Sequence, residues 1–295
     1  MNGIILINKP TDFTSFDVIA KLRGILKIKR LGHAGTLDPM ATGVLPVFVG
    51  KATRACDMIP NDAKRYQADF KLGIATDTQD ITGTAIAEKS SAVTTEQLEE
   101  VLRNFWGEIE QIPPMYSAVK INGQRLYKLA RKGEEIDRPA RKIEIFELNL
   151  LGFDEKTQTG ILDIHGSKGT YVRTLIHDIG QILNVGGTLT RLARTEAGIF
   201  KLADCVSIEQ VEELKQNDQL ESIIIPTGKL FESYPKIELD EVQTKMFLNG
   251  VRLDLNRVTY VEDDGYHRVY GSDNNFLGLA STEKETMELR CKKMF

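Results

Sequence analysis

Hydrophobic positions recur along the chain at two spacings, and each change of spacing marks an element. The run Ile4–Ile7 predicts a short strand, and Lys9-Pro10-Thr11-Asp12 after it is turn chemistry. Thr14 or Ser15 then caps a predicted helix whose Phe16, Ile19, Leu22 and Leu26 fall at helical spacing and are expected inward. Residues 31–50 are rich in Gly and Pro and predict an ordered loop feeding a strand over Leu45–Val49. Arg65–Leu72 alternates, with Tyr66, Ala68, Phe70 and Leu72 on one face and Gln67, Asp69 and Lys71 on the other. Ala75–Gly83 reads as a polar loop. Thr94-Thr95-Glu96-Gln97 has capping-box spacing and opens a helix with Leu98, Val101, Leu102 and Phe105 inward.

Ile112-Pro113-Pro114 ends that unit, and Asn122-Gly123 predicts a tight turn after a strand over Tyr116–Ile121. Ile143–Leu151 and Gly160–His165 read as strands. Thr170–Leu183 reads as a helix burying Val172, Leu175, Ile176, Ile179 and Leu183, and Ser207–Gln210 caps another. The character of the chain changes near Pro226–Pro235. A helix over Asp240–Leu248, closed by Asn249-Gly250, follows with short strands around Thr259–Val261, His267–Tyr270, Phe276–Ala280 and Met287–Cys291. This predicts an α+β fold. A larger domain covers residues 1–228, and a small β-rich domain covers residues 229–295.

Composition narrows the class. Of 295 residues, 41% are hydrophobic and 27% charged, which is globular composition. No apolar run is long enough to span a bilayer, so no membrane partner is expected. The N-terminal run lacks a basic flank and reads as a strand rather than a secretion signal. Cys56, Cys205 and Cys291 are odd in number and far apart, which fits a reducing cytoplasm rather than a disulfide framework. The net charge of -4 hides an uneven distribution. Residues 1–54 and 120–142 each hold eight Lys+Arg against three Asp+Glu, while 55–119 hold five against eleven. Such segments form either solvated charged surfaces or one basic face that steers a polyanion.

No metal site is expected, because His33, His165, His177 and His267 are scattered and none pairs with Cys at ligand spacing. Phosphate-loop, dinucleotide-binding and serine-hydrolase signatures are absent. Three segments carry candidate chemistry. In Gly32–Gly43, Pro39 restricts Asp38 to an extended conformation, so its carboxylate either caps a turn or faces a ligand. In Gly166–Arg173, a strand runs into a helix start, and Arg173 is either a surface cation or a buried one seeking a carboxylate such as Asp38. In Lys64-Arg65-Tyr66, the ring is either packed core or a platform for a base, flanked by two cations for phosphates.

The run Gly32–Gly43 resembles the signature of the TruB family of tRNA pseudouridine synthases, which modify uridine 55 in the T loop. Further similar motifs follow in the family's order: Asn8-Lys9-Pro10 with Thr14-Ser15, Lys64-Arg65-Tyr66, and Gly73 with Thr76-Asp77-Thr78 and Asp80. Then come Pro113-Pro114 with Tyr116-Ser117-Ala118, Lys168–Arg173, and Leu192-Ala193-Arg194-Thr195 with Gly198 and Phe200. One departure is Asp12, where the family usually has Gly. Asp tolerates the left-handed conformation, so only that turn is in question.

The resemblance implies a pseudouridine-synthase core: a mixed, largely antiparallel sheet with helices and a central catalytic cleft. It aligns Asp38 with the nucleophile, Tyr66 with the stacking tyrosine and Arg173 with the arginine that pairs the carboxylate. Tyr171 and Leu192 align with pocket residues, and His33 with the histidine that enters the RNA where the uridine has left. Lys9, Lys64 and Arg65 are expected on the substrate. Lys120, Arg125, Lys128, Arg131 and Lys132 are expected on phosphates. The C-terminal part resembles a PUA-type RNA-binding domain, on Phe247-Leu248-Asn249-Gly250 and Phe276–Ala280. The implied reaction is an isomerisation and requires no cofactor. The implied partner is the T arm of tRNA, with neither guide RNA nor an obligate protein partner. Two rival functions stand beside it: a tRNA-binding or tRNA-folding protein that needs no turnover, and a guide-dependent synthase of the same superfamily.

Overall fold

The computed structural model describes residues 1–295 except Asn61, Glu262 and Asp264. Strand β1 (Gly3–Lys9) is buried on both faces, which is why it reads as an unbroken apolar run. Ile5 and Ile7 pack beneath the helices, while Ile4 and Leu6 join Phe231 and Leu279 on the other side. Helix α1 (Ser15–Leu26) starts at Thr14, whose side chain closes a capping box with Asp17. Its buried stripe is Ser15, Val18, Ile19, Leu22 and Leu26. Phe16 is not part of it; it is 61% exposed. It lies one position out of phase, on the face of Arg23, whose guanidinium sits 5.7 Å from the ring.

Strands β2 (Leu31–His33), β3 (Thr42–Val49) and β4 (Lys64–Leu72) follow. In β4 the even positions from Tyr66 to Leu72 are all buried, as the alternation predicts. The segment expected as a polar loop is in part a hairpin, β5 (Ile74–Thr76) with β6 (Ala85–Glu88). Helix α2 (Thr95–Leu102) has the expected capping box at Thr94 and buries Leu98 and Leu102. Strand β7 (Gly107–Gln111) follows it. The expected strand over Tyr116–Ile121 shrinks to β8 (Lys120–Ile121), which pairs with β9 (Gln124–Arg125). Between them Asn122 and Gly123 both have positive φ, 50° and 81°. A short helix α3 (Leu126–Ala130) completes this basic excursion.

The long hairpin of β10 (Arg141–Asp154) and β11 (Thr159–Gly166) leads into α4 (Val172–Ile182), then β12 (Gly187–Ala197) and β13 (Phe200–Lys201). Helix α5 (Ile208–Gln216) is capped by Ser207 and packs on α1. The large sheet runs β1-β3-β12-β4-β11-β10-β7, with β2 on β3 and β13 on β12. Its pairings are antiparallel except β12 with β3, so the sheet is mixed and largely antiparallel. The central strand β12 leaves no clean alternation in the sequence. Two register shifts, at Leu189/Arg191 and Arg194/Glu196, interrupt its period of two.

The C-terminal part begins after a 3-10 turn, Thr227–Phe231, whose Leu230 and Phe231 are buried between the two sheets. The second sheet contains β14 (Lys236–Glu238), β15 (Leu253–Asp254), β16 (Tyr266–Tyr270), β17 (Phe276–Glu283) and β18 (Glu288–Met294). Their order is β14-β16-β17-β18-β15. Helix α6 (Glu241–Leu248) is capped by Asp240 and ends at Asn249 and a left-handed Gly250. Thr259–Val261 is not a strand; the local strand is β15, and Val258 supplies the buried side chain there. Met287 has φ 53° and belongs to the turn before β18. None of the described helices is long and apolar enough to cross a membrane.

Candidate active site

A cavity of about 370 Å³ opens where the Gly32–Gly43 segment, the edge of β4, the start of α4 and β12 meet. The segment before β3 is held there by Lys9. This ammonium is fully buried and donates to three carbonyls: Pro10 at 2.7 Å, Phe13 at 2.6 Å and Pro39 at 3.1 Å. Asp12 takes the left-handed conformation (φ 63°) and donates its N–H to the Pro39 carbonyl at 2.9 Å, so Asp serves where the family usually has Gly. Lys9 was expected on the substrate. Its three N–H bonds are all taken inside the protein, so it clamps the Asp38 loop instead. Burial lowers its pKa to about 8, against the pull of Asp38 and Asp12, and it remains a cation at neutral pH.

Asp38 keeps 37% of its side chain exposed, and the open side faces the cavity. Its Oδ2 meets Nε of Arg173 at 3.0 Å. Arg173 is buried in the first turn of α4 and uses its other nitrogens on Asp80 Oδ2 at 3.3 Å, the Thr78 carbonyl at 3.1 Å and the Tyr116 carbonyl at 2.7 Å. The start of α4 is itself fixed: the side chain of buried Gln111 accepts from the Tyr171 N–H at 2.7 Å and donates to its carbonyl at 3.0 Å. Burial pushes the Asp38 carboxyl above the ordinary carboxylate value. Arg173 opposes that push, Asp80 adds to it, and Lys9 opposes it.

Tyr66 is buried on the cavity side of β4. Burial raises its phenol, and the charge of Arg194 opposes that rise. Tyr171 and Leu192 line the same cavity, as does His33, whose imidazole burial and Arg194 hold below its ordinary value. His33 is therefore neutral at pH 7, and its Nδ1 has no hydrogen-bond partner among the described residues. Lys64 also lines the cavity, paired with Asp62.

Arg65 does not join them. The period of two turns it to the opposite face from Tyr66, where its guanidinium meets Asp163 and Glu147. It therefore flanks no base beside Tyr66, contrary to expectation. Lys128, Arg131 and Lys132 are exposed on and after α3, away from the cavity lining. Arg131 stacks over the Tyr127 ring at 5.5 Å. Two residues of the site escaped the sequence reading of roles. Asp80 and Arg194 occur in the quoted motifs, but their spacing alone carries no sign of what they touch.

The three-dimensional arrangement joins a fixed carboxylate, an arginine partner and a tyrosine in one small cavity of mixed polar and apolar lining, which is suited to chemistry on a flat ring. Residues 23–172 match the family described as TruB family pseudouridylate synthase (N terminal domain). This chain belongs to the TruB family of pseudouridine synthases. Residues 173–232 match the tRNA pseudouridylate synthase B C-terminal domain, and 235–290 the C-terminal domain of pseudouridine synthase II TruB. The chain is 41% identical over 293 residues to tRNA pseudouridine synthase B of Clostridium tetani, covering 98% of each. It is 43% identical over 259 residues to tRNA pseudouridine synthase B of Bacillus cereus, covering 86% of this chain and 84% of that one.

Solved structures share the TruB-like fold. A Cbf5-Nop10-Gar1 complex matches with a TM-score of 0.74 at 24% identity, over 99% of this chain and 84% of that one. An H/ACA RNP bound to a substrate RNA containing 2′-deoxyuridine matches with a TM-score of 0.75 at 22% identity, over 99% and 84%. The chain is thus an isomerase of the pseudouridine-synthase class, and its C-terminal domain is PUA-like.

Proposed function

We propose that this TruB-family enzyme isomerises uridine 55 in the T loop of tRNA to pseudouridine, acting alone and without guide RNA or cofactor. The observation that carries the reading is the Asp38–Arg173 pair facing Tyr66 across one cavity, in a chain whose relatives over nearly full length are tRNA pseudouridine synthases. The reaction breaks the bond from ribose C1′ to uracil N1, turns the base and joins C1′ to C5. The ionised Asp38 attacks the reacting nucleotide or balances positive charge on its sugar. Arg173 keeps it ionised against desolvation. Tyr171 and Leu192 hold the detached uracil while it turns, and the Tyr66 oxygen takes the C5 proton.

The target base is stacked in a folded loop and must be flipped out. Neutral His33, on the cavity lining, fills the vacated place. Lys128, Arg131 and Lys132 meet phosphates, and the domain from residue 229 onward extends the contact with tRNA. The three cysteines are unpaired in the fold, which suits the cytoplasm, where the substrate is. Tritium release from a C5-labelled tRNA transcript with only purified protein and buffer tests the reading. Release confined to position 55 supports it. Tight binding without release favours an RNA-folding role, and release only with added guide RNA favours the guide-dependent alternative.

A further inference from the structure

Arg194 is only 1% exposed. It sits on β12 directly opposite Tyr66 of β4 in the antiparallel register. Its Nε donates to the Val44 carbonyl at 2.8 Å and its Nη2 to the Gly35 carbonyl at 2.9 Å. Neighbouring backbone crowds both the main chain and the side chain of Arg194. A Cβ on Gly43 would stand 2.2 Å from the Arg194 carbonyl oxygen, and one on Gly35 3.0 Å from Nη1. No carboxylate of the described residues forms an ion pair with this guanidinium. Its neighbours are instead the cations Lys9 and Lys64, the neutral His33 imidazole and the Cys205 thiol.

An uncompensated buried cation is costly, and two bonds, one to a carbonyl of β3 and one to a carbonyl of the loop before it, do not require a full charge. Among the described residues, the acidic hydroxyl in its field is that of Tyr66. Arg194 and Tyr66 stand opposite each other in the β12–β4 register and line one cavity, so the charge of Arg194 favours the phenolate, while Asp38 and Asp62 oppose it. We propose that Arg194 is a positioning residue for the reaction, fixing the Tyr66 hydroxyl and stabilising negative charge on its oxygen. This rests on the reading of Tyr66 as acceptor of the C5 proton. In that step the phenol has given its proton to solvent through the open cavity. The phenolate takes the proton from C5, and the C–H electron pair returns to the ring. N1 takes a proton from solvent, so the isomerisation closes with no net gain or loss.

The test is a double-mutant cycle of Arg194→Gln and Tyr66→Phe. It is read as single-turnover tritium release from a C5-labelled tRNA transcript between about pH 6 and 9, with tRNA Kd measured alongside. Arg194→Gln is expected to bind tRNA within about threefold of the parent and to turn over about a hundredfold more slowly at neutral pH. Its rate rises with pH later than the parent's. In the Tyr66→Phe background the same change costs less than about threefold. Arg194→Lys keeps the charge and loses the fork, so it retains the parental pH profile even if the loop loosens. Equal losses in both backgrounds, or a shifted profile in Arg194→Lys, overturn the proposal and leave Arg194 as a loop clamp. Near-parental turnover of Tyr66→Phe removes the Tyr66 reading itself and the proposal with it.

Discussion

The Asp38 carboxylate and the Arg173 guanidinium meet at 3.0 Å, yet Arg173 does not depend on Asp38 for its neutralisation. Asp80 and two backbone carbonyls take up three of its four remaining N–H groups. Removing the charge of Asp38 therefore leaves no orphaned cation. Asp38→Asn is expected to fold and to bind tRNA within about threefold of the parent, with no detectable tritium release. Turnover within about tenfold of the parent would reject Asp38 as the essential carboxylate.

Removing the other partner has a different cost. Arg173→Met strands Asp80, which is buried and otherwise held by Thr78 and by the backbone and hydroxyl of Thr82. Breaking one side of such a pair costs about 3–5 kcal/mol. Urea unfolding is expected to show a loss of that order together with loss of turnover. A variant as stable as the parent would reject that cost.

The acid side of the pH profile carries the sign of the Asp38 shift. Burial raises its carboxyl above the ordinary value, so the charge is lost at a higher pH than on an exposed aspartate. Turnover falls as pH falls through that raised value, while tRNA binding does not follow it. A rate that stays level down to the ordinary carboxylate range of about 4 contradicts this.

Tyr66 can be dissected by two substitutions. Tyr66→Phe keeps the ring and is expected to bind tRNA normally yet turn over very slowly. Tyr66→Leu loses the stacking wall as well and weakens binding of the flipped base. Near-parental turnover of the Phe variant would reduce Tyr66 to a packing residue.

On the basic excursion, Lys128, Arg131 and Lys132 are exposed and form no ion pair among the described residues. Replacing all three by Ala is expected to weaken tRNA binding and to lower the slope of log Kd against log salt by about two to three. An unchanged slope assigns them to solvated surface.

The sequence by itself determined most of the elements and the identity of the central groups. Capping boxes at Thr14, Thr94, Ser207 and Asp240 all form as their local spacing requires, because a cap depends on residues only three positions apart. The alternation of β4 put Tyr66 inside for the same local reason; the same period turns Arg65 to the opposite face, although it was expected beside Tyr66 on the substrate. The ordered motifs named Asp38, Tyr66 and Arg173 through the family resemblance, before any geometry.

How the charges are matched follows from contacts that are distant along the chain. Lys9, expected on the substrate, proves to be a buried clamp, because its three carbonyl partners come from the turn that follows β1 and from the loop carrying Asp38. Arg65 is spent on two carboxylates from β10 and β11, far along the chain. β12, the strand that carries Arg194 to Tyr66, was hidden by its register shifts. A single chain's pattern records which face a residue takes, since that follows from backbone period. It does not record which partner waits on that face, since sheet order and loop closure set that at long range.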